Sequence, residues 1–193
     1  MTDAARCGWC TSHELYVAYH DEEWGAPVAD GPALFERLVL EGMQAGLSWW
    51  TVLKKRAHMQ EQFFRFDPDK LANATQEDVA RWLLDTGLIR HRGKIEAMIS
   101  NARAYLEMDN FAATVWSAVD GQPRTNHFST LSEAPGHTPE AAVLAKRLKK
   151  AGFRFVGPTT VYAFMQSVGM VNDHITSCPW HAICVDRARA FSL

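Results

Sequence analysis

The chain has 193 residues, 47 % of them hydrophobic and 22 % charged, which suits one globular domain with a sizeable core. A net charge of −2 and a pI near 6.4 argue against a generic nucleic-acid binder, though a local basic face would be enough to hold DNA. No apolar run approaches the ~18 residues of a membrane span, and Met1 to Cys10 carries no apolar signal core, so a cytoplasmic protein is expected.

In that setting Cys7, Cys10, Cys178 and Cys184 read as thiols or metal ligands rather than disulfides. Cys7, Cys10 and His20 stand near one end of the chain; His174, Cys178, His181 and Cys184 stand near the other. Two Cys and two His suit a closed tetrahedral zinc site, and the sequence alone leaves the choice among these candidates open. His174 and Cys178 are four apart and could share a helical turn, which Pro179 should end. Cys7-Gly-Trp-Cys10 also has the spacing of a redox pair, but no βαβ pattern surrounds it.

Trp9, Tyr16, Tyr19 and Trp24 crowd the first two dozen residues. A helix beginning near Pro32 then carries Leu34, Leu38 and Glu41 on one face, since spacings of four and seven bring side chains together. Glu41 is the only charge between Leu38 and Gly46, and a carboxylate on an apolar stripe is costly unless paired or put to use. Trp49 and Trp50 follow. An acid among electron-rich rings makes a pocket for a planar cation.

Asp67-Pro68 and Thr138-Pro139 each place a capping residue before a proline at the first helical position. Thr75 with Asp78 reads as a capping box ahead of Val79, Trp82 and Leu83. Ile95, Met98, Ile99, Ala102 and Leu106 form a longer apolar stripe; Ala141, Leu144, Ala145 and Leu148 form another, ended by Gly152; Val161, Phe164, Met165 and Val168 form a third. Gly121 to Gly136 reads as a loop. No stretch alternates with period two, so strands are at most short, and the pattern predicts an all-α fold of roughly seven to nine helices.

Between two helical patterns lies Asp85 to Ile95, with Gly87 and Gly93 for tight backbone and Arg90, Arg92 and Lys94 for charge. Free N–H groups at the start of the second helix can hold a phosphate oxygen, so this segment looks like a helix-hairpin-helix motif, which grips DNA backbone without reading sequence. The rest of the basic residues gather at Lys54 to Arg56 and at Lys146 to Lys150.

Six blocks stand in order: Arg6-Cys-Gly-Trp9, Tyr19-His-Asp-Glu-Glu-Trp-Gly25, Leu40 to Trp49, Ile89-Arg-His-Arg-Gly-Lys94, Gly152-Phe-Arg-Phe-Val-Gly157 and Val171-Asn-Asp-His174. Together they resemble the 3-methyladenine DNA glycosylase I family of the helix-hairpin-helix glycosylase superfamily, over nearly the whole chain. The resemblance implies a helix-hairpin-helix glycosylase-like helical domain spanning 1–193. Residues 1–25 and 170–184 would form a terminal lobe stapled by structural Zn2+ on Cys7, His20, His174 and Cys178, leaving Cys10, His181 and Cys184 outside the shell. The hairpin region would span 75–108. A base pocket of Trp9, Tyr16, Tyr19, Glu41 and Trp49 is also implied, with Glu41 as the catalytic and base-recognising group, Trp49 stacking, and Gly46-Leu47 pressing into the duplex. DNA contacts would add Gly87, Arg90, Arg92, Gly93 and Lys94.

Wider relatives carry a catalytic Asp after the hairpin; here the stretch from Val161 to Met165 is apolar and offers no obvious substitute. The activity implied is release of 3-methyladenine from alkylated double-stranded DNA by a monomer, without strand cleavage, since no lysine has a Schiff-base context. The competing expectations are a zinc-stabilised binding module that frees no base, and a thiol oxidoreductase.

Overall fold

The computed structural model describes residues 6–10 and 13–193; the first five residues of the stretch read as lacking a signal lie outside them. Helix α1 (Glu14–Ala18) runs into a π-helical turn, Tyr19–Glu23, which is followed by α2 (Gly31–Gln44). Four short helices come next: α3 (Trp49–Leu53), α4 (Arg56–Gln62), α5 (Pro68–Ala72) and α6 (Gln76–Leu84). The rest are α7 (Arg92–Leu106), α8 (Phe111–Trp116), α9 (Pro139–Lys150), α10 (Pro158–Ser167) and α11 (Pro179–Arg189). The described residues thus hold eleven α-helices, more than the periodic stripes suggested, because helices as short as α3 or α5 are too brief to show a full apolar period.

The expected caps are present. Asp67 accepts from the Asp69 and Lys70 N–H groups, Thr138 accepts from Ala141, and Thr75 and Asp78 cap each other reciprocally, contacts worth about 1 kcal/mol each. Gly152 follows α9 at φ 97°, where a side chain would be strained. Pro179 corrects the sequence reading: it opens α11 instead of closing a helix, its missing N–H being harmless at a first helical position. The loop from Gly121 to Gly136 contains a 3-10 turn, Leu131–Glu133, and a two-residue strand β1 (Arg124–Thr125). This strand pairs in parallel with β2 (Val171–Asn172), in the register Arg124↔Val171.

The stripes of α6, α7, α9 and α10 converge on a main core that includes Trp82, Ile95, Leu144 and Phe164, with α2 packed against α7 and α10. Leu106 departs from its stripe and is largely exposed, because α7 outruns the core there. A second, smaller cluster gathers Cys7, Tyr19, Trp24, Leu53 and Cys178, flanked by Trp9, Tyr16, Trp49, Trp50 and Trp180. Glu23 ties the π-helical turn to the main body through Arg37 of α2 and Arg56 of α4, whose Nη1 lies 2.6 Å away. Arg56 also pairs with Glu36 at 2.9 Å. No helix among the described residues is long and apolar enough to cross a membrane.

Candidate active site and metal centre

Between the two cores lies a cavity of about 470 Å³ lined by Trp9, Tyr16, Tyr19, Trp24, Glu41, Gln44 and Trp49, and on its other walls by Leu131, Ala134, Ala163, Gln166 and Asp173. All five residues predicted for a base pocket therefore meet in one place. The rings brace one another: Trp9 sits 5.4 Å from Tyr16 and 5.0 Å from Trp24, and Tyr19 sits 4.9 Å from Trp49, all measured between centroids. The Trp49 Nε1 donor is buried without a partner among the described residues.

Glu41 reaches the cavity from α2 and is itself 5 % exposed. Among the described residues its carboxyl accepts no hydrogen bond, and its nearest compensation is Arg37, one turn earlier. Burial therefore pushes it up from 4.5 to about 8, with the Arg37 charge opposing. The Arg37 guanidinium also lies over the Tyr19 ring, 5.7 Å from its centroid. Burial, with the Glu41 charge adding, raises the Tyr19 hydroxyl well above its usual range.

Beyond Glu41, α2 ends in a tight turn. Gly46 has φ 74°, which glycine adopts without strain, and it throws Leu47 outward, 41 % exposed. Leu47 shares an open groove with Lys55, Thr86, Ile89 and Arg90, so two of the expected DNA contacts face one surface. Arg90 and Arg92 are exposed, Arg92 lying 3.5 Å from Glu96. Gly87 is fixed from inside: its N–H donates to Asp85 Oδ1 at 2.7 Å, and an added Cβ would meet the His58 ring at 2.5 Å. Gly93 lies beside the His91 ring.

Lys94 requires a correction. It is buried, and its Nζ donates to the carbonyls of Met43 at 2.8 Å and Ala45 at 2.6 Å. Its stem crosses the interface between α7 and α2, so the ammonium caps the last carbonyls of α2 and is not presented to phosphate. The Lys94 N–H is likewise taken, by His91 Nδ1 at 3.2 Å. A short connection, residues 151–157, likewise joins α9 to α10. There α10 starts without a side-chain cap, and Thr159 and Thr160 line a cavity with Glu41, Gly46 and Leu47.

Behind the aromatic wall, Cys7, His20, His174 and Cys178 are all buried, and one ligand atom from each lies within 4.8 Å of the others. Cys7 Sγ is 3.5 Å from His174 Nδ1; Cys178 Sγ is 3.6 Å from the same atom and 3.7 Å from His20 Nε2. The remaining ring nitrogens are engaged elsewhere. His20 Nδ1 faces Asp21 Oδ1 at 2.7 Å, in turn held by Arg6, and His174 Nε2 faces the Trp24 carbonyl at 3.1 Å. These outer contacts fix which nitrogen of each imidazole is left for a metal. The group can hold a metal ion. The hydrogen bond from Cys7, with His174 and His20 adding, pulls the Cys178 thiol far down against the effect of burial, while the Cys7 thiol is raised.

Cys10 lies outside the cluster, its Sγ 3.7 Å from the Tyr16 carbonyl. Cys184 is a buried thiol pushed up to about 11 by desolvation, and His181 Nε2 faces the Asn126 carbonyl at 2.9 Å.

Sequence reasoning missed Gln44, Gln166 and Asp173. Asp173 stood inside a recognised block, and the signal was its position next to a metal-ligand candidate. Gln166 and Leu131 carry no such signal, because only the fold brings α10 and the 3-10 turn to the cavity.

The helical body that carries this cavity is shared with solved 3-methyladenine DNA glycosylases, which sets the class of protein. A crystal structure of a 3-methyladenine DNA glycosylase I superposes with a TM-score of 0.89 at 55 % identity, covering 91 % of this chain and 98 % of that one. Another, a tyrosine variant of such an enzyme in complex with 3-methyladenine, gives 0.86 at 37 % identity, covering 90 % of this chain and 95 % of that one. DNA-3-methyladenine glycosylase 1 of Escherichia coli (strain K12) is 54 % identical over 177 residues, 90 % of this chain and 95 % of the relative. The family described as methyladenine glycosylase matches residues 9–182, and the chain belongs to that family.

Proposed function

We propose that this chain is a base-excision repair enzyme that hydrolyses the N-glycosidic bond of alkylated bases in double-stranded DNA, chiefly 3-methyladenine. The observation that carries this reading is the Glu41 carboxyl, without a hydrogen-bond donor among the described residues, on the wall of an aromatic cavity roomy enough for a base. A relative of the same fold has been solved with 3-methyladenine bound.

Alkylation at the third ring nitrogen makes adenine a cation that departs neutral, so the chemical step needs little acid catalysis. The protein's task is to extrude the nucleotide, which costs a few kcal/mol and less at a damaged pair, and to hold the base. Trp49 stacks on the base, with Trp9, Tyr16 and Tyr19 closing around it. Glu41 hydrogen-bonds the exocyclic amine and the neighbouring ring edge. Leu47, presented by Gly46, fills the gap in the duplex. Arg90 and Arg92 grip phosphate within the 75–108 hairpin region, where Gly87 and Gly93 shape the backbone, and Lys94 supports them by fixing the α2 end.

Cys7, His20, His174 and Cys178 would hold Zn2+ as a structural ion. Two thiols and two imidazoles, with S···N separations of 3.5, 3.6 and 3.7 Å, form a donor set that suits zinc. Four protein ligands would leave no open position, so the ion would be structural and would staple residues 1–25 to 170–184 within a single domain. The enzyme works as a cytoplasmic monomer, releases free 3-methyladenine, and forms no covalent adduct with DNA.

The test is chromatography of bases freed from methylated duplex DNA, with Trp49→Ala and Glu41→Gln beside the unaltered chain. Selective release of 3-methyladenine that both variants lose is the expected result. No release by a folded, metal-loaded chain leaves only a binding module.

A further inference from the structure

One buried carboxylate on the cavity wall has no part in the reading above. Asp173 follows β2 and is 2 % exposed, yet it lines the same cavity as Glu41. Three donors converge on it. Asn126 Nδ2 donates to Oδ1 at 2.7 Å; the Tyr162 hydroxyl and Gln166 Nε2 donate to Oδ2 at 2.7 and 2.8 Å. These donors come from the residue that follows β1 and from α10, two separate parts of the fold. Each offers a hydrogen and none faces Asp173 as an acceptor, so the group is held as a carboxylate with its position fixed.

The two acids of the cavity therefore differ. Glu41 accepts no hydrogen bond among the described residues, whereas Asp173 accepts three. A neutral acid recognises a base edge. A fixed negative charge favours a cation that forms beside it, without reorganisation at the moment of reaction.

We propose that Asp173 is a catalytic residue of this site, stabilising the positive charge that develops on deoxyribose as the glycosidic bond breaks. The proposal rests on the glycosylase reading. In that step the C1′–N9 electron pair leaves with the base, which departs neutral. A water oxygen then bonds to C1′ and loses one proton to solvent. Asp173 acts through its charge and need not accept that proton. Its hydrogen-bonded frame also serves the fold, so the experiment separates the two roles.

The experiment measures single-turnover release of 3-methyladenine from methylated duplex by the metal-loaded chain, by Asp173→Asn, and by Asp173→Ala with and without added formate. Binding of free 3-methyladenine, read from tryptophan fluorescence, and metal content are measured on each. Asp173→Asn should slow release by about 10²–10³-fold, as loss of one preorganised electrostatic group does, with base affinity and metal content kept. Formate should restore part of the rate in Asp173→Ala, which a purely structural loss would not allow. Release by Asp173→Asn at the unaltered rate overturns the proposal. So does a parallel loss of rate, base affinity and metal in both variants without formate rescue, which would make Asp173 part of the scaffold. Failure of the unaltered chain to release any base is a different result and sinks the glycosylase reading itself.

Discussion

Glu41 makes folding stability depend on pH in a way that can be worked through. Its carboxyl sits at about 8 in the folded chain against 4.5 as an ordinary glutamate, because burial disfavours the charge. A raised acid pKa means the unfolded chain gives up the proton first. The penalty is absent below the unfolded value, grows as pH rises from 4.5, and is complete above about 8. Between about pH 6 and about pH 8.5 the folded state should lose roughly 2.5 kcal/mol from this group alone. For a chain of this size that is roughly 5–10 °C in melting temperature. Glu41→Gln keeps the volume and removes the charge. The assay is thermal melting of both proteins, metal-loaded, across that range. Other titrating groups are shared, so the difference between the curves isolates Glu41. The gap should favour the variant increasingly as pH rises. Parallel curves would mean that the folded chain accommodates the Glu41 charge at no cost, and the account of a desolvated, unpaired acid would fall.

Lys94 and Arg90 should respond oppositely to removal. Lys94→Met uncovers the α2 carbonyls and loosens the Gly46–Leu47 turn, so base release should drop while the salt dependence of DNA binding stays as it was; Arg90→Ala should weaken DNA binding on any sequence and reduce the salt slope by about 1, as measured by binding titrations at several salt concentrations. Chelation of the metal should lower melting temperature and free-base affinity together, because Trp9, Tyr19 and Asp173 lie within two residues of Cys7, His20 and His174. Loss of stability with base affinity intact, read by fluorescence after chelation, would show the cavity wall to be independent of the staple.

Local order in this protein was legible before any fold was known. The stripes of α9 and α10 are buried where their spacing placed them, and the caps at Asp67, Thr75 and Thr138 begin the helices they announced. Helix propagation and capping depend on residues three or four apart, so the sequence holds all that is needed. The buried acid at Glu41 was legible for the same reason: Leu38 and Leu34, three and seven residues earlier on the same helix face, are apolar, and all three are buried.

The choice of four metal ligands from seven candidates was another matter; from spacing it stayed open, and the resemblance supplied it. The tertiary structure brings Cys7, His20, His174 and Cys178 together across more than 150 residues of chain, while it turns Cys10 and Cys184 to backbone carbonyls. Lys94 shows the limit most plainly. Its sequence neighbours are exposed arginines, and nothing in that run says that one cation folds inward. Only the approach of α7 to the end of α2 decides it, because a long side chain goes where an unsatisfied group lies, and the α2 carbonyls are 49 and 51 residues away in the chain. Asp173 likewise became a cavity residue only when α10 and β2 closed the wall around it. Short-range periodicity fixes which faces are apolar; the meeting of distant faces decides which polar groups are left pointing at a substrate.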